Sequence, residues 1–175
     1  MKITISGPIG SGKSTVSKIL AAKLGYKHYS IGGFMRDIAK KRSLSILELS
    51  KRAESDPTID DELDQRQSQI GKSEDNFVMD SRLGYHFILD SFSIFLDVSI
   101  KEAVRRITSD KKRDEKYKNT VEAVVALKER MHSESLRYNE YYGIKFPDKA
   151  KFRLVIDTTK MSPEETAEKI IDSLN

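Results

Sequence analysis

Residues 7–14 carry a spacing that could hold the phosphates of a nucleotide. Gly7 is followed by four residues and then by Gly12, Lys13 and Ser14. Glycines let successive backbone N–H groups turn inward around phosphate oxygens, the lysine reaches the β- and γ-phosphates, and the serine hydroxyl binds Mg²⁺. The pattern therefore predicts ATP and Mg²⁺ as cofactors. The residues expected to touch them are Gly7, Pro8, Ile9, Gly10, Ser11, Gly12, Lys13, Ser14 and Thr15.

The elements around this loop favour that interpretation over an ordinary glycine-rich turn. Residues 2–6 alternate β-branched and polar side chains, as a strand does, and apolar residues recur at helical spacing over 16–24. A phosphate-binding loop needs this order, because the N-terminal end of the following helix adds its positive pole to the site. Gly25 then suits a left-handed helix terminus, and 27–30 a short second strand.

The rest of the chain predicts an α/β fold. Short apolar runs at 76–80, 93–98 and 152–157 each contain a carboxylate near their end and suit buried parallel strands. Helical segments are expected at 33–42, 45–54, 58–71, 101–109 and 121–142, and at a last helix opened by Ser162-Pro163-Glu164-Glu165. Strands alternating with helices predict a parallel, five-stranded sheet with right-handed crossovers and helices on both faces. A length of 175 residues suits a single domain over 1–175.

Composition narrows the class of partner. The chain has no cysteine and no apolar stretch long enough to span a bilayer, which excludes a thiolate site and a membrane helix. The formal net charge is +4, which seven basic and three acidic residues over 105–118 account for. A basic segment on a neutral body favours a small polyanion over nucleic acid, although a solvated helix face is an equal alternative. Since Met1 leads directly into a strand, we expect a soluble cytoplasmic protein without a membrane partner.

Asp80 is the second candidate metal ligand. It ends an apolar strand, where a carboxylate can hold a water on Mg²⁺, but a strand-end aspartate can also simply cap a turn. The histidines at 28, 86 and 132 show no metal-ligand spacing, so we expect ordinary surface or core residues.

Taken in order along the chain, these features resemble the nucleoside monophosphate kinases, and most closely the short cytidylate kinases. The resemblance rests on the loop at 7–15 and on weaker matches spread over the chain. These are Ser30-Ile31-Gly32-Gly33-Phe34-Met35-Arg36, Asp80-Ser81-Arg82-Leu83-Gly84, Phe95-Leu96-Asp97-Val98-Ser99, Arg105-Arg106, Lys128-Glu129-Arg130 and Arg137. It implies a three-layer P-loop kinase fold with acceptor-binding helices inserted at about 31–72 and a mobile lid at about 108–118. It also implies a monomer that transfers the γ-phosphoryl group of ATP to CMP or dCMP.

The resemblance implies roles on the acceptor side. Arg36 and Arg82 would bind the acceptor phosphate, and Ser30 would lie near the acceptor base. An arginine fork matches phosphate oxygens in a bidentate way. The alternative for either arginine is a surface ion pair with a neighbouring carboxylate.

The resemblance also implies catalytic residues around the lid. Arg106 would stand at the lid entry, with Arg130 and Arg137 two turns apart on the helix that follows. They would neutralise the travelling phosphoryl group when the lid closes and water is expelled. Arg113, at the lid tip, is expected to be solvated.

One departure concerns the base. Longer cytidylate kinases carry Asp-Gly-Arg-Asp where this chain has Asp80-Ser81-Arg82-Leu83, so an acidic contact linked to the cytosine end is absent there. Asp60 and Asp64, one turn apart on a predicted helix, could accept from the cytosine amino group instead. A solvated acidic helix face is an equal alternative for these two.

Other functions fit the loop as well. A kinase of the same architecture could act on AMP, UMP, shikimate or gluconate, and a nucleotide-switched binding module needs no acceptor at all. Two arginines for a phosphate favour a nucleotide over a sugar acid. A switch module predicts an Asn-Lys-x-Asp motif or an ATPase sensor region, and the sequence contains neither.

Overall fold

Five short strands running in one direction form the sheet. The computed structural model describes residues 1–110 and 117–174. Its strands are β1 (Lys2–Ser6), β2 (Lys27–Ser30), β3 (Phe77–Asp80), β4 (Phe92–Asp97) and β5 (Leu154–Asp157). They pair in parallel in the order β2-β3-β1-β4-β5, so β1 and the loop that follows it are central.

Helices connect these strands and cover both faces of the sheet. They are α1 (Lys13–Leu24), α2 (Ile31–Lys41), α3 (Ile46–Arg52), α4 (Pro57–Ser73), α5 (Gly84–Phe87), α6 (Ile100–Ser109), α7 (Thr120–Tyr142) and α8 (Pro163–Asp172), with a 3₁₀ turn at Lys149–Lys151. On one face Ile3 and Ile5 of β1 pack with residues of α1 and α8. On the other face Phe77 and Met79 of β3 pack with residues of α4 and α5. The predicted three-layer α/β fold with a five-stranded parallel sheet is confirmed.

The parallel sheet gathers three strand ends at one edge. Asp80, the last residue of β3, is in register with Ile5 of β1 and with Ser30 of β2. Gly7 follows β1 directly, so the loop, Ser30 and Asp80 share this edge. Ligands of open α/β sheets bind at the carboxyl ends of the strands.

Two predicted helix boundaries, the end of α1 and the start of α8, are confirmed by their capping geometry. Gly25 caps α1 in the left-handed conformation, with φ of 68°. Ser162 and Glu165 form a capping box at the start of α8, and Pro163 occupies the first turn. Both boundaries could be predicted from the sequence, because each capping motif needs a particular residue type at a fixed position relative to the helix.

Other boundaries differ from the predictions for local reasons. Helix α2 begins at Ile31, two residues early, because the Ser30 side chain accepts from the backbone N–H of Gly33 at 3.2 Å and lets the strand pass directly into the helix. Strand β5 begins at Leu154 rather than at 152, since Phe152 is buried as the cap of the 3₁₀ turn. Helix α5 was not predicted, because four residues are too short to show a period.

Part of the predicted lid falls outside the described residues. Helix α6 ends at Ser109 and α7 begins at Thr120, which bounds the segment as expected. Arg113 and its neighbours at 111–116 lie outside the described ranges. Within 1–110 and 117–174, no helix is long and apolar enough to cross a membrane.

Candidate active site

The loop between β1 and α1 depends on its glycines. Gly7, Gly10 and Gly12 have φ of 145°, 82° and 86°, values that L side chains rarely adopt. A Cβ on Gly7 would stand 2.2 Å from the carbonyl oxygen of Leu96, and one on Gly10 would stand 2.7 Å from Cα of Ala103. The glycine pattern is therefore required both by the turn and by the close approach of β4 and α6.

Lys13 lies in a buried cluster of charges beside this loop. Its ammonium donates to the carbonyl oxygen of Pro8 at 2.9 Å. Burial, and then the guanidinium of Arg82, lower the pKa of Lys13 to about 7, while Asp80 and Glu134 act in the opposite direction. An anion bound in the loop would favour the charged form of Lys13, so phosphate binding and protonation of this lysine support each other.

Ser14 and Asp80, the two residues predicted to hold Mg²⁺, are joined by a hydrogen bond. The Ser14 hydroxyl donates to Oδ2 of Asp80 at 2.5 Å, and the Ser30 hydroxyl donates to the same oxygen at 3.4 Å. Mg²⁺ prefers such oxygen donors and takes its remaining ligands from water and substrate phosphates. The residues therefore fit a nucleotide-bound Mg²⁺. They do not form an all-protein cage, since no cluster of three or more His, Asp or Glu that could hold a metal occurs among the described residues.

Arg82 reaches the same loop from the end of β3. One Nη donates to the carbonyl oxygen of Gly7. The other side of its guanidinium binds Glu134 of α7, with Nε 2.5 Å from Oε2 and Nη2 3.0 Å from Oε1. Glu134 was not predicted as a site residue, although its spacing of four residues after Arg130 and three before Arg137 puts it on their side of the helix.

Arg130 and Arg137 each pair with a different carboxylate. Arg130 Nε lies 3.4 Å from Glu134 Oε1, and Arg137 Nη1 lies 3.4 Å from Asp60 Oδ2. The second pair is deeply buried, and its geometry is that of a charge contact rather than a hydrogen bond, since Asp60 Oδ2 and Arg137 Nε both lack a hydrogen-bond partner. Burial raises the pKa of Asp60, and Arg137 opposes that shift. Helix α7 thus brings one predicted arginine toward the loop and ties the other to α4.

Arg36 lies on the exposed side of α2. Its guanidinium leans over the first turn of the helix, with Nη1 3.8 Å from the place where a Cβ on Gly32 would stand. Within the described residues it forms no ion pair, and its role at the acceptor stays a prediction. Nearby, the Arg66 guanidinium stacks 3.8 Å from the centre of the Phe34 ring, a contact that spacing could not show.

Arg106 contacts the loop between β1 and α1 and the segment after β5. Its Nε binds Glu102 at 2.8 Å, Nη1 reaches the carbonyl oxygen of Gly10 at 3.3 Å, and Nη2 donates to the carbonyl oxygen of Thr158 at 2.6 Å. These contacts join the phosphate loop to the segment after β5. The residue therefore contacts the loop through the backbone of Gly10.

Asp64 is held inside a hydrogen-bond chain. Tyr142 donates to Oδ2, and Gln67 Nε2 donates to Oδ1 at 2.8 Å. Burial raises the pKa of Asp64 to about 6. An open groove of about 560 Å³ runs beside it between α4, Phe87 and Tyr142, and none of the loop residues line it. Both carboxylate oxygens of Asp64 are therefore already engaged by protein donors.

Comparison with known proteins gives one consistent family. The model of the cytidylate kinase-like family matches residues 2–160. The cytidylate kinase of Natronomonas pharaonis is 44% identical over 169 residues, covering 94% of this chain and 84% of that protein. The cytidylate kinase of Sulfolobus acidocaldarius is 40% identical over 174 residues, covering 98% and 92%.

Solved structures resemble the chain in fold. The shikimate kinase of Bacteroides thetaiotaomicron superposes with a TM-score of 0.72, covering 99% of this chain and 98% of that one, at 14% identity. The shikimate kinase of Aquifex aeolicus gives 0.63 at 19% identity, covering 99% and 96%. The TM-scores show a shared fold, and identities this low say nothing about activity or acceptor.

Proposed function

Since the chain belongs to the cytidylate kinase-like family, we propose that it transfers the γ-phosphoryl group of ATP to CMP or dCMP, giving ADP and CDP or dCDP. The observation that carries the proposal is the position of Arg82. This arginine contacts Gly7 at the start of the phosphate loop and lies two residues after Asp80. An acceptor phosphate bound by Arg82 would therefore lie beside the phosphates held by the loop.

The nucleotide side of the site has a defined set of groups. Loop residues 7–15 would hold the phosphates of ATP, and Lys13 would offset charge that moves toward the β–γ bridging oxygen. Ser14 and Asp80 would hold Mg²⁺, which when bound neutralises phosphate charge. Arg106 would act here through the loop backbone that it contacts.

The acceptor needs no general base. An oxygen of the CMP phosphate forms the new bond to the γ-phosphorus while the bond to the bridging oxygen breaks, and ADP leaves with that electron pair. The second pKa of a phosphate monoester lies near 6, so the attacking oxygen is already ionised at neutral pH. What the site must supply is positive charge and orientation, which we assign to Arg36, Arg82, Arg130 and Arg137.

The cytosine end is assigned to Ser30, Asp60 and Asp64. Asp60 is the better placed of the two carboxylates, because it already contacts Arg137 of α7. Both carboxylate oxygens of Asp64 already accept hydrogen bonds, so Asp64 would act on the base indirectly, by holding Gln67 and Tyr142 in place.

We also propose that the chain is one domain over residues 1–175, acts as a monomer and works in the cytoplasm, where ATP and nucleoside monophosphates are available. The unbroken pairing of five strands in one sheet supports the single domain. Residues of about 31–72 would bind the acceptor and 108–118 would form the lid.

A coupled ADP-release assay across CMP, dCMP, UMP, AMP and shikimate tests the proposal. We expect the highest kcat/KM for CMP and dCMP and a poor value for AMP. Preference for AMP over CMP at saturating ATP would replace the assignment with an adenylate kinase. Phosphorylation of shikimate alone would show that Arg82 does not bind an acceptor phosphate.

A further inference from the structure

A chain of hydrogen bonds, buried at its Ser81 end and partly buried at its Tyr142 end, connects the end of α7 to the end of β3. Tyr142 donates to Asp64, Gln67 Nε2 donates to Asp64 Oδ1 at 2.8 Å, and the Ser81 hydroxyl donates to Gln67 Oε1 at 2.8 Å. Gln67 is 2% exposed and Ser81 is 3% exposed. The donors and acceptors alternate without a conflict, so each group in the chain is satisfied.

Ser81 is the residue through which the hydrogen-bond network reaches the active site. Its backbone N–H donates to the carbonyl oxygen of Ile5 at 3.1 Å, and its own carbonyl oxygen accepts from the Ser6 hydroxyl at 2.8 Å. The same hydroxyl lies 2.7 Å from the carbonyl oxygen of Arg82. Ser81 is therefore fixed on its backbone by β1 and on its side chain by Gln67, directly between Asp80 and Arg82.

Gln67 is the member that joins the three segments. It belongs to α4, within the segment assigned to the acceptor. It reaches the β3 end through Ser81 and the helix after the lid through Asp64 and Tyr142. Replacing a buried network by apolar residues costs little stability in general, so stability alone gives no reason for polar groups here. A satisfied network instead fixes the direction and register of the elements that it joins.

We propose that Gln67 is a positioning residue for the acceptor site. It holds α4 at a fixed position relative to Arg82 through Ser81 and orients Asp64, the residue that binds α7, so that the acceptor phosphate and its base are bound in one geometry. At 2% exposure it has no surface with which to touch substrate itself. The inference rests on the proposed function, because that function makes Arg82 the acceptor arginine.

The test compares Gln67→Leu and Ser81→Ala with wild type and with Gln69→Leu, an exposed glutamine on the same helix. We expect the KM for CMP to rise about tenfold in Ser81→Ala, the equivalent of the one hydrogen bond that it removes, and at least as much in Gln67→Leu, which removes two. The KM for ATP should stay within about twofold, because α1 and the loop are not part of the network. The double variant should be no worse than the worse single one, since both changes remove the same bond. Gln69→Leu should match wild type.

Two results would overturn the inference. One is a lower Tm with an unchanged KM for CMP, which would make the network merely structural. The other is an equal rise in the KM for CMP and for ATP, which would indicate general damage. Ser81→Ala removes a single hydroxyl and decides the matter if Gln67→Leu does not fold. Absence of CMP phosphorylation by wild type would instead defeat the proposed function, and the same variants would then be compared on whichever acceptor wild type prefers.

Discussion

The Glu134 carboxylate of α7 binds the Arg82 guanidinium at two points, with Nε 2.5 Å from Oε2 and Nη2 3.0 Å from Oε1. Both side chains are largely buried. Burial alone would raise the pKa of Glu134, but Arg82 and Arg130 hold it below its usual range. An acceptor phosphate that binds Arg82 must therefore share this arginine with a fixed carboxylate.

Removing that charge gives the first prediction. Glu134→Gln should lower Tm by roughly 5–15 °C, because it leaves Arg82 and its positive neighbours without their buried counter-ion. Added inorganic phosphate should recover more of the lost Tm in the variant than it adds to wild type, since the anion can replace the carboxylate. Thermal unfolding with and without phosphate measures both effects.

Glu129→Gln is the matched control for Glu134→Gln. It makes the same change on an exposed part of α7 and should leave Tm and its phosphate dependence unaltered. An equal phosphate response in Glu134→Gln and wild type would mean that Glu134 does not compete for the anion-binding arginine.

Lys13→Ala should lose orders of magnitude in kcat and remain folded. The reason for the loss is charge development at the β–γ bridge. The protein should tolerate the change because burial makes the charged lysine unfavourable, which lowers its pKa from 10.5 to about 7. The unfolded chain therefore binds more protons than the folded one between these values, and the free energy of unfolding of wild type relative to Lys13→Ala should rise with pH across this window. Urea unfolding at several pH values checks the sign, and near-normal turnover would remove Lys13 from catalysis.

Asp64→Asn should change the pH dependence of stability in the opposite sense. The pKa of Asp64 is raised from 3.8 to about 6, so the folded protein binds more protons than the unfolded chain between these values. Wild-type stability relative to the variant should be greatest below pH 3.8, fall as the pH rises through about 6, and level off above it. A difference in urea midpoints that stays constant over this range would show that Asp64 is not shifted.

Arg36→Ala should raise the KM for CMP and leave the KM for ATP little changed. Arg36 is exposed on α2 and is proposed to bind the acceptor equally in the ground and transition states, which affects KM rather than kcat. Lys41→Ala removes a charge from a different side of the same helix and serves as the control. A comparable increase of the KM for CMP in both variants would mean that Arg36 contributes only general electrostatic attraction and does not bind the acceptor.

Arg130→Ala and Arg137→Ala should depress kcat. Their double variant should be markedly non-additive if both act on one phosphoryl group. They should differ in stability, because the Arg137 side chain is 13% exposed and leaves Asp60 buried without its partner, whereas that of Arg130 is 39% exposed. Steady-state kinetics and Tm on the four proteins separate the two effects. Small losses that add as free energies would mean that neither arginine acts on the phosphoryl group and would dismiss the lid assignment.

The fold was predictable because its signals are local and periodic. Strand β1 and helix α1 follow from alternation and helical spacing, and the loop between them from three glycines. The start of α2 was not predictable, because glycines at 32 and 33 weaken the helical pattern while Ser30 caps it through a side-chain bond. Short elements such as α5 carry too few residues for any period.

Only residues of the phosphate-loop pattern and the strand-end carboxylate could be expected from the sequence to lie together. Lys13, Ser14 and Asp80 belong to this set, and the structure brings them together. Glu134 and Gln67 were missed because a carboxylate or an amide on a helix looks like surface until its partners are known. Arg82 lies 52 residues from Glu134, a separation that no spacing rule covers.

The contact between Gly10 and Ala103 sets a limit on variation that chemistry would not suggest. Ala103 has no functional group, yet its Cα, Cβ and carbonyl oxygen occupy the space directly outside the phosphate loop. Because Ala103 lies against Gly10, we expect a larger side chain at position 103 to press on that loop. A saturation mutagenesis survey scored on kinase activity should therefore rank Ala103 beside Lys13, and a separate measurement of ATP affinity should show that the alanine acts as a spacer.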